Sequence, residues 1–462
     1  MASKASNPRG TRDLLPEVMV QREYILEILK TTFRKYGFLP IETPALEKLE
    51  TLTGKYGEEG DRLIFKVLPR GDKFEKAFRE GDAQEAREKL NHNLEEALRY
   101  DLTVPFARFV VQNHNALHFP FKRYQIQPVW RADRPSKGRY REFYQCDADV
   151  VGSSSLWQEV DFIGIYKQVF SDLGLPIRVK MNHRKVLQGL TEKFGVENDF
   201  QAFTVALDKL DKVGLAGVQK EMSERGLAQG ALDALAFVAG LSGSNTEVLS
   251  QLEAEISETT SGKAGLEEIR FVIDACSELG QEDVLDLDFT LARGLDYYTG
   301  AIFEVKAVDL ELGSIGGGGR YDDLTGIFGL KDLPGIGISF GLDRIQLALE
   351  EKGLFPAMTH SGTDMLMVNF GDKEALFANK LAAQLRELGL KTELYPDAVK
   401  MKKQLDYANK KGIRYVLLIG SQEMEEGLFT LKDMQEGSQR KLGAIELLEA
   451  FNTSQNNKHA KH

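Results

Sequence analysis

The chain has 462 residues, which is too long for a single hydrophobic core and predicts roughly two to four domains. Hydrophobic residues make up 42% of the chain and charged residues 28%, as in an ordinary soluble globular protein. No apolar run approaches the ~20 residues of a membrane span, and the first residues contain no apolar segment of the signal-peptide type. These features predict a cytoplasmic protein with no membrane partner.

The formal net charge of −11 argues against general affinity for nucleic acids. It does not exclude a local basic patch that binds one RNA, because patches steer binding more than the total charge does. The two cysteines, Cys146 and Cys276, are far apart in sequence, and the seven histidines form no cluster with metal-ligand spacing. We therefore expect neither a disulfide framework nor a structural zinc site.

An amphipathic helix is predicted near the start of the chain, over Gln21–Tyr36, because apolar residues recur there at three- and four-residue spacings. Gly37 ends this helix, and a short strand over Phe38–Ile41 leads into Thr43-Pro44. The segment suits a dimer edge, and an ordinary helix–strand connection has the same pattern. The elements predicted next are a strand at Ile64–Leu68, a charged helical stretch at Lys73–Glu96, a strand at Leu98–Thr103 and a helix that opens at Val104-Pro105.

The stretch Tyr124–Gly152 predicts an antiparallel hairpin with a long loop. Strands over Tyr124–Arg131 and Glu142–Val151 flank a loop that is rich in turn formers and cations. Because side chains alternate along a strand, one face of the return strand is unusually polar and carries Gln145, Asp147 and Asp149. A surface that offers amides, carboxylates and arginines suits a small zwitterion together with a polyphosphate. A solvated hairpin with a basic loop is the alternative.

A small inserted helical domain is predicted over Arg184–Leu279, which is acidic and rich in alanine and leucine. Breaks between its helices are expected at Gly240–Gly243 and Ser261–Gly265. The other predicted elements around it are a helix at Leu156–Leu173 and strands at Ile177–Met181, Leu285–Leu291 and Ala301–Val305.

Two glycine-rich segments follow. In Pro334–Ile345 the glycines fall on one face of a strand, which indicates that a ligand or a backbone approaches closely. Arg344 falls at the start of the next helix, where backbone N–H groups favour anions; tight packing of helix on strand is the alternative. The run Gly316–Gly319 lacks the GxGxxG spacing, and the chain has no Walker-type phosphate loop. This run is explained equally well as backbone beneath a ligand or as a glycine-rich turn.

The segment Arg293–Gly300 places an arginine and two tyrosines at the head of a hairpin. Tyrosine hydroxyls can pair with ligand nitrogens, and the arginine can pair with a carboxylate or a phosphate. A buried ion pair between Arg293 and Asp296 is the alternative. Arginines on separate antiparallel strands can hold a bent nucleoside triphosphate and align its α-phosphate with a carboxylate. Positioning and charge stabilisation then supply the rate without a nucleophilic side chain.

From Asp364 onward strands and helices alternate over about ninety residues, which predicts an α/β domain with a mixed sheet. The predicted elements are strand Met365–Phe370, helix Glu374–Leu388, strand Thr392–Tyr395, helix Val399–Lys410, strands Tyr415–Ile419 and Leu428–Asp433, and helix Ile445–Phe451.

These motifs resemble those of the class II aminoacyl-tRNA synthetases, and among them the histidyl-tRNA synthetases, over nearly the whole chain. GFLPIETP, WRADRPSKGRYREFYQ and GISFGLDR resemble the three motifs of the class, with Pro44 as the proline of the first. ARGLDYYTG and GGGGRYD resemble the two signatures of the histidine family and are the more specific.

The resemblance implies a multidomain chain of α/β and α+β type. It comprises a catalytic domain with an antiparallel sheet, a helical insertion, an anticodon-binding α/β domain with a mixed sheet, and a disordered tail. The catalytic domain is expected at 1–183 and 281–355, the insertion at 184–280, the anticodon-binding domain at 363–452 and the tail at 453–462.

The activity implied is ATP-dependent conversion of L-histidine to histidyl-adenylate, followed by transfer to the 3′ end of tRNA(His). The resemblance also implies that Mg²⁺ accompanies ATP. It further implies a homodimer that forms through the first motif. The implied catalytic cations are Arg293 and Arg131. The implied ATP contacts are Arg131, Arg139, Arg344 and Gly341.

The implied histidine-binding set divides into two groups. Asp101, Thr103 and Arg131 surround the α-amino and carboxylate groups, and Arg293 contacts the reacting carboxylate and α-phosphate. The residues expected around the imidazole are Gln145, Asp149, Tyr298 and Tyr321, with Tyr297 beside them in the set.

One departure from the family pattern concerns the acidic residues. Many bacterial members carry glutamate at the positions of Asp101 and Asp149, and QCDAD is closer to the eukaryotic-type branch. Asp149 is still expected to accept an imidazole N–H, in a slightly different pocket. A carboxylate on one ring nitrogen and a hydroxyl or amide on the other reject isosteres without donors, and no editing domain is evident.

Two alternatives remain at this stage. One is a stand-alone adenylating ligase that does not use tRNA, which the added C-terminal domain disfavours. The other is a catalytically inactive, synthetase-like regulatory paralogue that binds histidine or RNA. The presence of Arg131, Arg293 and Arg344 and of a full C-terminal domain argues against it.

Overall fold

The computed structural model describes residues 5–55, 57–71, 74, 93–292, 298–322, 324–356 and 362–459. It divides into two compact units, Met1–Asp13 with Ile25–Leu354 and Leu14–Tyr24 with Phe355–His462. Most of the charged stretch predicted at Lys73–Glu96 lies outside the described residues. Within those residues, no helix has the length and apolar character needed to cross a membrane.

The larger unit is built on strands from the whole length of its sequence. Its described strands are β1 (Leu39–Pro40), β2 (Leu46–Lys48), β3 (Lys66–Val67), β4 (Glu96–Leu98), β5 (Phe121–Trp130), β6 (Glu142–Val151), β7 (Ile177–His183), β8 (Leu285–Leu287), β9 (Ala301–Ala307), β10 (Gly316–Arg320) and β11 (Gly335–Gly341). Eight of them form one sheet in the order β1-β5-β6-β11-β10-β9-β7-β8, and the others form a small sheet in the order β2-β4-β3. The large sheet is antiparallel except at its two edges, where β1 joins β5 and β8 joins β7 in parallel.

The predicted hairpin is confirmed, since β5 and β6 pair antiparallel along their whole length. The apolar face of β6 lies in the core, where three of its residues are fully buried: Cys146, Ala148 and Val150. On its other side β6 pairs with β11, which places Gly337 opposite Asp149 and Ser339 opposite Asp147. The polar face of β6 and the glycine face of β11 therefore form one continuous surface.

Helices surround this sheet. Helix Trp157–Asp172 covers its apolar side, where the rings of Tyr166 and Phe170 lie 4.8 and 5.8 Å from the ring of Phe340. The other helices outside the insertion are Pro16–Lys35, Leu49–Leu52, Gly57–Leu63, Thr103–Asn113 and Leu342–Lys352. The predicted helix at Leu156–Leu173 is confirmed, and the first helix begins earlier than predicted.

The strand predicted over Leu98–Thr103 is wrong for most of its length. β4 ends at Leu98, and a helix begins at Thr103. Between them, the carboxylate of Asp101 accepts a hydrogen bond of 3.2 Å from the backbone N–H of Val104. Because this bond satisfies a free N–H at the start of the helix, it favours a helix entry over a continued strand.

The predicted insertion is helical throughout its regular segments. Its helices are Arg184–Lys193, Phe200–Leu207, Leu210–Glu224, Gln229–Gly240, Asn245–Ile256 and Thr260–Glu278. The break at Gly240–Gly243 is confirmed, but the break predicted at Ser261–Gly265 is wrong, because the last helix runs through it. Gly262 packs against Gly189 so closely that a Cβ on Gly189 would lie 2.4 Å from the Cα of Gly262. Glycine at this point allows two helices to approach each other and does not end either one.

The smaller unit has the predicted mixed sheet. Its strands are β12 (Met365–Met367), β13 (Thr392–Leu394), β14 (Tyr415–Leu418), β15 (Leu428–Asp433) and β16 (Gln439–Gly443), and its helices include Asp372–Glu387, Met401–Lys410, Ser421–Glu426 and Ala444–His459. The order is β13-β12-β14-β15-β16, with parallel pairing around β12 and antiparallel pairing beyond β14. The sequence patterns did not predict β16 or helix Ser421–Glu426. They predicted that the last helix ends at Phe451, whereas in the structure it runs to His459.

The glycines of β10 allow a close approach of strand backbones that a side chain would prevent. A Cβ on Gly318 would lie 2.1 Å from the carbonyl oxygen of Gly337. We expect Gly318→Ala to lower the free energy of unfolding by about 1–3 kcal/mol, measured by chemical denaturation. Gly240→Ala, where no atom lies within 4 Å of the added Cβ, is the matched control. Equal stability of the two variants would contradict this account of β10.

Candidate active site

A cavity of about 400 Å³ opens over the surface formed by β6, β10 and β11. All of the predicted site residues that fall in the described part of the chain line this cavity. They are Asp101, Thr103, Arg131, Arg139, Gln145, Asp149, Tyr298, Tyr321, Gly341 and Arg344. The other two, Arg293 and Tyr297, lie outside the described residues. The structure therefore brings together side chains that are more than 200 residues apart in sequence, from Asp101 to Arg344.

Asp149 lies on the floor of the cavity and is held from two sides. Its Oδ2 lies 2.8 Å from Nη2 of Arg123, and its Oδ1 accepts a hydrogen bond of 2.5 Å from the hydroxyl of Tyr321. Burial raises the pKa of Asp149, while Arg123 and Tyr321 act in the opposite direction. A Cβ on Gly337 would lie 2.0 Å from Oδ1, so this carboxylate needs the bare backbone of β11.

Arg123 was not among the predicted site residues. It is fully buried on β5, directly opposite Asp149, and its guanidinium carbon lies 4.1 Å from the centre of the Phe106 ring. A buried charge is costly unless it is paired, so the ion pair explains why an arginine can lie here. Extension of the predicted hairpin by one residue beyond Tyr124 would have placed Arg123 opposite Asp149, which is the signal that could have identified it.

Asp147 is a second buried carboxylate in the cavity wall. Burial raises the pKa of Asp147 to about 7; the charges of Asp149 and Asp101 add to this rise, and Arg123 and a hydrogen bond with Ser339 oppose it. The sequence places Asp147 on the polar face of its strand but assigns it no role. Among the described residues, the neighbouring carboxylates of Asp147 and Asp149 thus lie beside one buried guanidinium, that of Arg123.

Arg131 lies at the end of the hairpin and is held in place by aromatic rings. Its guanidinium carbon lies 4.3 Å from the ring centre of Tyr100 and 5.2 Å from that of Phe143, and its Nε donates to the carbonyl of Tyr100 at 3.1 Å. Arg139, in the loop, is exposed and donates to Asp133 at 3.0 Å. Arg131 is therefore preorganised by its neighbours, whereas Arg139 is exposed at the edge of the cavity.

Arg344 lies in the first turn of helix Leu342–Lys352, as predicted, and its Nη1 donates to the carbonyl of Ser314 at 2.7 Å. The backbone N–H of Gly341, just before the helix, donates to the carbonyl of Ile315 at 2.9 Å. A Cβ on Gly341 would lie no closer than 3.5 Å to another atom, so Gly341 offers the cavity an uncrowded backbone surface.

The cavity has a cationic end and an acidic end. Gly341, next to the helix of Arg344, lies opposite Gln145, whereas Gly337 lies opposite Asp149 further along the same pair of strands. A ligand that lies along β6 would meet arginines at one end and buried carboxylates at the other. This polarity suits a compound that joins a polyphosphate to a cationic amino acid.

The antiparallel sheet with a polar hairpin, a glycine-faced strand and an arginine at the start of the following helix is the architecture of a class II aminoacyl-tRNA synthetase. The structure is similar to that of histidyl-tRNA synthetase from Nostoc sp. PCC 7120, with a TM-score of 0.84 and 30% identity over 98% of this chain and 100% of that chain. A family model of histidyl-tRNA synthetases matches residues 89–345, and one of anticodon binding domains matches residues 365–453.

Sequence comparison with curated proteins agrees. The chain is 56% identical to the histidine–tRNA ligase of Christiangramia forsetii over 96% of this chain and 98% of that protein. It is 52% identical to the histidine–tRNA ligase of Flavobacterium johnsoniae, over 95% of this chain and 97% of that protein. The chain belongs to the histidyl-tRNA synthetase family. Its similarity to these ligases supports the enzyme and not the inactive regulatory paralogue.

The raised pKa of Asp147 predicts how stability depends on pH. In the folded chain the carboxyl group keeps its proton up to a pH of about 7, whereas in the unfolded chain it loses the proton above its ordinary value of 3.8. Asp147 therefore lowers the stability of the parent progressively as pH rises from about 4 to about 7, and Asn lacks this effect.

We accordingly expect Asp147→Asn to raise the free energy of unfolding relative to the parent more at about pH 7.5 than at about pH 5. Denaturant titrations at both pH values, without ligands, measure this difference. Asp161→Asn, which removes a partly exposed carboxylate paired with Lys122, is the control. If the free energy of unfolding of Asp147→Asn exceeded that of the parent by the same amount at both pH values, the raised pKa of Asp147 would be contradicted.

Proposed function

We propose that the chain activates L-histidine with ATP to form enzyme-bound histidyl-adenylate and pyrophosphate. A hydroxyl of the terminal ribose of tRNA(His) then attacks the acyl carbon, an ester bond forms, and AMP leaves. We place this activity in the cytoplasm, where charged tRNA is consumed by ribosomes. The observation that carries the proposal is the cavity with arginines at one end and buried carboxylates at the other, in a chain of the histidyl-tRNA synthetase family.

The acidic end is the histidine subsite in this proposal. Asp149 accepts an imidazole N–H, and Tyr321 and Arg123 hold the carboxylate in place for it. The hydroxyl of Tyr298, which also lines the cavity, pairs with the other ring nitrogen. A site whose buried polar groups need two ring nitrogens rejects amino acids that leave those groups unpaired. The remaining histidine contacts in this proposal are Asp101, Thr103, Arg131, Gln145, Arg293 and Tyr297.

The cationic end binds ATP. Arg131, Arg139 and Arg344 contact its phosphates, and the bare backbone at Gly341 lets the nucleotide lie against the sheet. The carboxylate oxygen of histidine attacks the α-phosphorus, a bond to the α-phosphate forms and pyrophosphate leaves. The carboxylate is already an anion at neutral pH, so no general base is needed. Arg131 and Arg293 stabilise the charge that develops on the α-phosphate.

Mg²⁺ accompanies ATP in this proposal, and the residues present fit such an ion. Within the described ranges, no group of three or more His, Cys, Asp or Glu side chains could hold a metal. Mg²⁺ bound to phosphates usually needs only one or two protein carboxylates and keeps several waters. Glu304 is buried in the cavity wall and accepts a hydrogen bond from Ser314, whose carbonyl binds Arg344. The other oxygen of the Glu304 carboxylate lies 3.5 Å from Nζ of Lys306, so Glu304 would exchange this lysine for the ion. When bound, the ion would neutralise phosphate charge, and Glu304 is one carboxylate of the cavity wall that could hold it.

The partner subunit of the proposed homodimer binds at the first class motif. β1 is the edge strand of the large sheet, and its Leu39 is 61% exposed. Leu46, on β2, is 42% exposed. An apolar edge strand is a suitable interface because unpaired strand edges otherwise invite uncontrolled association. Sedimentation of the purified chain at micromolar concentration tests for the dimer.

The tRNA partner engages the smaller unit, which matches the anticodon-binding family. Lysines gather around helix Met401–Lys410 and are all exposed: Lys400, Lys402, Lys403, Lys410 and Lys411. Lys411 already pairs with Glu393 at 3.2 Å, so the other four are better placed to meet phosphates. A local basic surface of this kind is compatible with a net charge of −11.

Pyrophosphate exchange into ATP, measured without tRNA and with each of the standard amino acids in turn, tests the first half-reaction. We expect exchange with histidine only, because the subsite selects a ring with two polar nitrogens. Addition of tRNA(His) should then yield histidyl-tRNA. A folded, dimeric protein that exchanges with no amino acid would contradict the proposal.

The catalytic role of Arg293 is inferred from the ARGLDYYTG signature in the sequence. We expect Arg293→Ala nearly to abolish pyrophosphate exchange, because the arginine stabilises charge on the α-phosphate, and to leave dimerisation intact. Arg225→Ala, which removes an arginine paired with Glu221 in the insertion, is the control. Normal activation by the Arg293 variant would remove Arg293 from the catalytic role.

Tyr298 is assigned to the imidazole. We expect Tyr298→Phe to weaken histidine binding by about 1–3 kcal/mol, because one ring nitrogen loses its partner. The dissociation constant of histidine measures this effect, with Tyr407→Phe in the smaller unit as the control. Unchanged affinity would place the hydroxyl outside the imidazole contacts.

A further inference from the structure

Three acceptor atoms on the polar face of β6 are buried without a hydrogen-bond partner in the part of the chain that the structure describes. One of them, Oδ2 of Asp149, lies 2.8 Å from the guanidinium of Arg123. The other two, Oε1 of Gln145 and Oδ1 of Asp147, have no such ion pair among the described residues. Both residues line the cavity, and Asp147 is only 3% exposed. A buried polar atom without a partner is unfavourable, so atoms of this kind inside a cavity indicate that a ligand supplies the donors.

The kind of ligand group follows from the chemistry of these atoms. Nε2 of Gln145 donates to the hydroxyl of Ser339 at 3.3 Å, which leaves Oε1 as the acceptor. The carboxylate of Asp101 lies near enough to Asp147 for its charge to influence it. The cavity wall thus presents acceptors from three side chains. An ammonium group has three N–H donors and no acceptor, and it fits this arrangement.

We propose that Asp147 is a substrate-binding residue that accepts a hydrogen bond from the α-ammonium group of histidine, together with Gln145 and Asp101. This assignment rests on the proposed function and deepens it. It moves Gln145 from the imidazole, where the sequence places it, to the α-ammonium. Asp149, already held by Tyr321 and Arg123, remains the partner of the ring.

The balance of charge on the cavity floor supports this assignment. Among the described residues, the buried carboxylates of Asp147 and Asp149 face one buried guanidinium, that of Arg123, which forms its ion pair with Asp149. The α-ammonium supplies a second cation beside Asp147. An ion pair with hydrogen bonds to a carboxylate as buried as that of Asp147 is stronger than the same contact in water.

Binding of histidine is therefore coupled to protonation. Burial raises the pKa of Asp147 to about 7. The described groups that act on it or are influenced by it are Arg123 on β5, Asp149 on β6, Ser339 on β11, Asp101 before helix Thr103–Asn113, Tyr166 from helix Trp157–Asp172 and Tyr321 after β10. The ammonium needs the ionised carboxylate, so its binding releases the proton to solvent. Affinity that depends on Asp147 accordingly rises as pH increases through about 7.

The test compares two ligands that differ only in the α-amino group, L-histidine and 3-(imidazol-4-yl)propanoate, by calorimetry on the full-length chain. We expect Asp147→Asn to weaken histidine binding about 10- to 100-fold, as for loss of a hydrogen bond to a charged group. Binding of the des-amino acid and the KM for ATP stay close to those of the parent. Asp161→Asn is the matched control, and Asp147→Ser repeats the test if the Asn variant does not fold.

A second readout separates this role from a structural one. Histidine affinity is measured for the parent and for Asp147→Asn between about pH 6 and pH 8, and the parent value is divided by the variant value. The titration of histidine itself affects both proteins equally and cancels in this ratio. The ratio is expected to rise with pH. An unchanged histidine affinity in the variant, an equal loss for both ligands, or a ratio independent of pH overturns the proposal.

The outcome is distinguishable from failure of the proposed function. A parent that exchanges pyrophosphate with no amino acid would refute the activity itself. A parent that exchanges with histidine, and whose Asp147 variants bind histidine with full affinity, would refute only the role of Asp147.

Discussion

The active site depends on one buried ion pair, between Arg123 and Asp149 at 2.8 Å. Neither charge could lie in this position alone, because removal of one partner leaves an unpaired charge in the core. Together they fix the carboxylate that the cavity presents, and Tyr321 fixes its second oxygen. Asp147 lies two residues before Asp149 on the same strand, and within the described ranges no ion pair joins it to a cation, so the substrate is expected to supply one.

The glycines of β10 and β11 make this charge cluster possible. Any side chain at Gly337 would occupy the position of the Asp149 carboxylate, and a side chain at Gly318 would meet the backbone of β11. Because their glycines carry no side chains, β10 and β11 lose apolar packing at these positions but form a surface on which a flat, polar ligand can lie. The same strand leads into the helix of Arg344, so the acidic and cationic ends of the cavity share one rigid element.

Local patterns were sufficient to predict much of this architecture. The alternation along β6 placed Gln145, Asp147 and Asp149 on one face, and the alternating strands and helices after Asp364 gave the mixed sheet. Long-range pairing was harder to predict, because Arg123 acquires its role only through its register with Asp149. The glycines at Ser261–Gly265 were misleading for a similar reason, since a glycine at a helix contact and a glycine at a helix end look alike in sequence.

A structure of the chain with L-histidine bound tests the central claim most directly, because it shows which atoms of the substrate meet the polar face of β6. The account predicts the ring N–H on Asp149 and the α-ammonium between Asp147, Gln145 and Asp101, with the carboxylate directed towards Arg131. Histidine bound with its ammonium away from Asp147, or outside this cavity, would contradict it.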